Sequence, residues 1–168
     1  AFIVNNNLRK GIILSDKGFP PKQIDQELRE RPDLHFLTPL KRNDSRIAVH
    51  EMYEFQGVLQ NVDRAVFFKK AMLRGGRFLY SFRDAHQAEL EERSFAEHAK
   101  KHEFDGTAYQ RKKAAFGTIV FESDQDLEPE VVYRCYADRW QIELIFRRYK
   151  NDDCLDQTGV QGDFSVIG

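Results

Sequence analysis

A chain of 168 residues, 41% hydrophobic and 12% aromatic, holds enough apolar material for one core with at most a smaller attached lobe. Its 32% charged residues and the lack of a long uncharged apolar run exclude a membrane span, the start AFIVNNNLRK lacks the order of a signal peptide, and the cytoplasm is the expected compartment. Cys135 and Cys154 are too few and too far apart for a disulfide framework or a zinc ribbon, and a net charge of −1 leaves any case for nucleic acid to local clusters.

The first element in chain order is GIILSDKGFPP, a short apolar run ended by a turn cluster, which predicts a buried strand with Asp16 at its C-terminal end. Pro20 and Pro21 suit the entry of a helix, Ile24 and Leu28 recur on one face of it, and RERPD stops it. HFLTPLKR reads as a second strand. Strand, helix and strand in about 30 residues make a βαβ unit whose strands are parallel neighbours.

From about Asn43 to Arg83 the runs RIAVHEMYEF, AVFFKKAML and RFLYSF are β-branched or aromatic and predict an antiparallel insertion. Gly75 and Gly76 suit a two-residue hairpin turn, which would set Arg74 opposite Arg77. Between Arg64 and Arg83 there are six basic residues and no acidic ones, interleaved with aromatic rings. Such a hairpin reads either as a phosphate-binding element or as an edge strand guarded by charge.

DAHQAELEERSFAEHAKKHEF predicts a polar helix. His98 and His102 are one turn apart on it, but the metalloprotease pattern is absent and a metal role is not expected. AAFGTIVFES predicts another strand, and DQDLEPEVV a helix start with Asp126 as cap and Pro129 in the first turn. On that last helix Arg139, Glu143 and Lys150 fall at about 300°, 340° and 320° relative to Tyr136, so the four share a roughly 60° arc. Val132, Cys135, Ile142 and Phe146 belong to a separate apolar arc that faces a core. By geometry alone the stripe is either an ion-paired solvated face or the wall of a cleft.

Two stretches together carry a resemblance. The spacing Tyr-x2-Arg-x3-Glu-x6-Lys, matched by Tyr136, Arg139, Glu143 and Lys150, resembles the signature of a large family of bacterial insertion-sequence DDE transposases, and SDKGF around Asp16 resembles the setting of that family's second catalytic acid. The resemblance implies an α/β fold: a partial ribonuclease H-like core over 1–43, a β-rich insertion with one helix over 44–115, and 116–168 completing the core with the catalytic helix. It implies that Asp16 and Glu143 are catalytic metal ligands, that Tyr136, Arg139 and Lys150 grip DNA phosphates, and that two Mg²⁺ ions, or Mn²⁺, serve the complete enzyme. Arg74 and Arg77 are added as DNA contacts from the hairpin's charge. The implied partners are transposon-end and target double-stranded DNA and a second copy of the protein in a homodimeric synaptic complex, with no membrane, in a cytoplasmic, nucleoid-associated setting.

Residues 1 to 15 contain no Asp or Glu, so the family's first acid is missing from this sequence and the chain is expected to be a fragment, inactive alone. The rival expectation is a non-catalytic DNA-binding remnant. A third is an interaction domain whose stripe is surface ion pairs.

Overall fold

The computed structural model describes residues 11–15, 26, 28–29, 31–102 and 106–138. Six strands form one sheet: β1 (Gly11–Leu14), β2 (Leu34–Pro39), β3 (Gly57–Val58), β4 (Val66–Leu73), β5 (Arg77–Asp84) and β6 (Thr118–Ser123), in the spatial order β1-β2-β6-β5-β4-β3. The helices are α1 (Ser45–Val49), α2 (Ala85–His102), α3 (Gly106–Lys113) and α4 over 129–138. β1 and β2 are parallel neighbours, as the strand-helix-strand pattern predicts, with Gly11 opposite Leu34 and Leu14 opposite Leu37. The remaining pairs are antiparallel. β6 lies between β2 and β5, so the strands of the 44–115 segment continue the same sheet.

Alternation along the strands buries both faces. On one face Leu37, Val66, Tyr80, Phe82 and Phe121 pack with Val132 of α4, and Ile12 and Leu14 join them. On the other, Leu79 and Val120 pack with Leu40, Ile47 and Met52, while Ile13 of β1 packs with Leu28, Leu34 and Phe36.

Three expectations are corrected. RIAVHEMYEF opens as helix α1, not as a strand, because Asp44 caps it by accepting the Arg46 N–H at 3.0 Å and Ile47 fills the core. Only two of its residues are β-branched, too weak a preference to resist that cap. The β4–β5 loop has three residues, Arg74, Gly75 and Gly76, so Arg77 faces Leu73 and not Arg74. Both glycines do take positive φ, at 79° and 72°. The register follows the core: it sets Leu79 beside Ala71, and Tyr80 and Phe82 beside Lys70 and Phe68, whereas a two-residue loop would turn one strand's faces over. Finally, Asp126 does not cap α4; its carboxylate binds Lys70, and Pro129 occupies the first helical turn as expected.

Tyr80 ties sheet to helix. Its fully buried ring ends in a hydroxyl that donates to Gln125 O at 2.9 Å and accepts the Leu127 N–H at 2.7 Å, just before α4 begins. Burial pushes its phenol above the ordinary tyrosine range, with the Leu127 N–H opposing. Tyr80→Phe should therefore lower unfolding stability by about 1 kcal/mol, because it removes two hydrogen bonds to part-buried backbone groups. Urea denaturation reads this directly, and an unchanged midpoint would show that the two bonds contribute nothing.

Candidate active site and nucleic-acid interface

Of the acids expected to carry chemistry, Asp16 and Glu143 lie outside the described residues, as do Arg139 and Lys150. The structure does describe the segments that precede them in the sequence, β1 and the start of α4. β1 pairs with β2 as far as Ser15, whose N–H donates to Leu37 O at 3.2 Å and whose buried hydroxyl meets that of Thr38. Tyr136 is half-buried, its ring tilted against Phe121 of β6 at 5.3 Å between centroids. One turn earlier Tyr133 meets Phe82 of β5 at 5.5 Å, and Val132 next to it in the sequence is fully buried. Cys135, also half-buried, is a free thiol that burial holds above its ordinary range.

The basic hairpin is less positive than its sequence implies. Arg64 pairs with Asp84 at 3.4 Å, Lys70 with Asp126, and Arg77 with Glu122 at 3.2 Å. All three carboxylates come from outside the 64–83 run. Burial alone would lower the Lys70 ammonium, but the bond to Asp126 together with the charges of Tyr80, Asp126 and Glu128 raises it overall, and Phe78 and Tyr80 each lie 5.6 Å from it. Arg77 also stacks on Phe36 at 4.8 Å. Arg74 is exposed in the loop.

Glu122 is the residue that sequence reasoning missed on the opposite face. Its carboxylate, 5% exposed, accepts from Arg46 at 2.7 Å and from Arg77, and Arg46 in turn grips Asp44 at 2.9 Å. The Asp44 bond, followed by the Glu122 bond, holds the Arg46 guanidinium above its ordinary range against the effect of burial, and the same Arg46 bond holds Asp44 below the usual carboxylate range. A lone Glu in the apolar strand TIVFES was the available signal. Saturated in this way, Glu122 builds structure and is not available to a metal ion.

A cleft of about 690 Å³ opens at the end of the sheet where β2 and β5 finish. β2 leaves at Leu40, whose N–H donates to Val120 O at 2.7 Å, and so Thr118 and Ile119 of β6 lack a β2 neighbour and line the cleft. Tyr133 and Tyr136 form part of its wall, with Arg64 and Asp84 on one rim and Arg42 and Glu91 on another. The Tyr133 phenol is pushed up by burial and by Asp84, with Arg64 opposing, so it stays a neutral hydrogen-bond donor at pH 7. Asp84 caps α2 by accepting the N–H groups of His86 and Gln87 at 2.9 and 3.1 Å. Among the described residues no group of three His, Cys, Asp or Glu side chains is arranged to hold a metal ion. No described helix is long and apolar enough to cross a membrane.

The sheet of mixed strands, the few helices and the aromatic helix-on-sheet seat agree with one match that spans almost the whole chain: residues 3–158 fit the Transposase DDE domain. The chain belongs to that family, whose members generally act on DNA with divalent metal ions. No curated protein and no solved structure matches it.

Proposed function

We propose that this chain carries the second and third catalytic acids of an insertion-sequence DDE transposase, Asp16 and Glu143, on a partial ribonuclease H-like core that cleaves DNA and joins strands once the first acid is supplied from outside this sequence. The match of residues 3–158 to the Transposase DDE domain, taken with the spacing of Tyr136, Arg139, Glu143 and Lys150 and the SDKGF setting of Asp16, is what supports this reading. Within α4, Tyr133 meets Phe82 of β5 and Tyr136 meets Phe121 of the neighbouring strand β6, so the helix crosses from one strand to the next over these three residues. Three residues rise about 4.5 Å, close to the roughly 4.8 Å between strands. Ile12 and Leu14 of β1, the strand that precedes Asp16 in the sequence, pack against the same cluster as Val132 of α4.

Two carboxylates of hard oxygen suit Mg²⁺, with Mn²⁺ as a substitute. In a two-ion site the bound metals supply an activated water or 3′-hydroxyl and stabilise the leaving oxygen of the phosphodiester. Asp16 and Glu143 would hold them, Tyr136 would place its phenol at the cleft wall, and Arg139 would clamp a phosphate bidentately while Lys150 acts as a point charge. At the hairpin Arg74 is the exposed phosphate contact; Arg77 would have to share its guanidinium with Glu122. We place the working enzyme as a homodimer on transposon-end and target duplexes in the bacterial nucleoid.

Mn²⁺ titration followed by electron paramagnetic resonance tests the pairing of the two acids. One weak site is expected on the chain, lost equally in Asp16→Asn and in Glu143→Gln, since each supplies part of one ligand set. Mn²⁺ binding that survives both substitutions would move the metal, and with it the reaction, away from these residues.

A further inference from the structure

The cleft at the end of β2 and β5 has a use that the family signature does not assign. We propose that Arg42 and Arg64 are phosphate clamps on its two rims, and that a DNA strand crosses the cleft between them, over Tyr133 and Tyr136. This rests on the transposase reading and names two further binding residues for it.

The two arginines arrive from separate loops, Arg42 just after β2 and Arg64 just before β4, yet both line the same cavity. Each is parked on a carboxylate of the α2 region. Arg42 donates twice to Glu91, at 3.0 and 2.8 Å, and Arg64 reaches Asp84 at 3.4 Å. The carboxylates are seven residues apart, roughly 10 Å along the helix axis, which spaces the two guanidiniums across the opening.

These pairs are easily exchanged. The guanidinium side chains are 53% and 62% exposed, in the range where an ion pair contributes little net stability. Neither carboxylate is stranded when its arginine swings to a phosphate. Asp84 keeps the N–H groups of His86 and Gln87, and Glu91 keeps the Gly117 N–H at 3.2 Å. A tetrahedral phosphate presents two oxygens to a guanidinium, as the Glu91 carboxylate now presents two to Arg42. The contrast with Arg46 and Arg77 is instructive: those two hold the nearly buried Glu122, and to leave it would strand a charge in the core. Arg42 and Arg64 are thus the guanidiniums in this part of the molecule that can change partner at small cost.

Binding of the full chain to a 20-base-pair duplex, read by fluorescence anisotropy over a salt series, tests the clamps. Each phosphate contact contributes about 0.9 to the slope of log K against log[salt] on B-DNA. Arg42→Gln and Arg64→Gln should each flatten the slope by about 0.9, and the double variant by about 1.8, with weaker binding at every salt concentration. Gln keeps much of the stem, and a thermal melt of each variant confirms the fold; should either unfold, Arg→Lys at the same position keeps the charge and must restore most of the slope. Arg93→Gln, exposed on α2 outside the cleft, should change nothing. A double variant that binds DNA with wild-type affinity and slope overturns the clamps and leaves the transposase reading standing. A wild-type chain that shows no salt-dependent DNA binding overturns both.

Discussion

Glu143→Ala should abolish strand transfer by a transposase that contains this chain together with its first catalytic Asp. Loss of one group that stabilises charge at a reacting centre costs about 10²–10³ in rate, and a metal ligand is lost together with the ion it holds, so a fall on the order of 10³-fold or more is expected. The measurement is the joining of a labelled transposon-end duplex to a target in Mg²⁺, resolved on a denaturing gel. DNA binding should survive, because removing a carboxylate from a phosphate site relieves repulsion. That separation of binding from joining is the signature of a catalytic ligand rather than a structural one. The 168-residue chain on its own should give no joined product, since two acids do not complete a two-ion site. Metal-dependent cleavage by the chain alone, indifferent to Glu143→Ala, would show that the chemistry lies elsewhere.

What was readable in the sequence follows the range of the interaction that decides each feature. The parallel pairing of β1 and β2, the strands β4, β5 and β6 and the polar helix α2 are written in local apolar patterning, and all were legible. The hairpin loop was not. The Gly75-Gly76 signal favours two residues, but the faces of Leu79 and Tyr80 are chosen by Met52 and Phe121, which lie far away in sequence, and they set the register one residue longer. The charge of the hairpin misled for the same reason: Glu122 is 45 residues from Arg77 and 76 from Arg46. The spacing from Tyr136 to Lys150 is a pattern of the sequence alone, and of its four residues only Tyr136 lies among the described ones. The cleft could not be read there, since Arg42, Arg64, Glu91 and Tyr133 come from four different segments, and only the topology of the sheet assembles them.

Gly117→Ala should lower stability by about 2–5 kcal/mol and disturb the cleft with it. Gly117 stands where the chain enters β6, with φ at 65°, and a Cβ there would lie 2.5 Å from Ala88 N and 2.5 Å from Asp84 O. Those are backbone atoms, which no rotamer change can move aside. The left-handed conformation costs a residue with a Cβ about 1–2 kcal/mol, and overpacking adds about 1–3 kcal/mol. The chain can relieve the overlap by lifting the first turns of α2 from the sheet. That displacement would loosen the bond from Asp84 N to Gly117 O, now 3.0 Å, and the one from Gly117 N to Glu91. Asp84 and Glu91 are the parking sites of Arg64 and Arg42, so a lifted α2 also draws away the carboxylates that compete with phosphate for those two guanidiniums. Gly75→Ala is the internal control. Its φ of 79° imposes similar backbone strain, but nothing lies within 4 Å of the added methyl, so only the strain of about 1–2 kcal/mol should appear. Urea denaturation of the two variants separates the terms. If Gly117→Ala proves no more costly than Gly75→Ala, α2 does not rest on Gly117 as closely as these distances require.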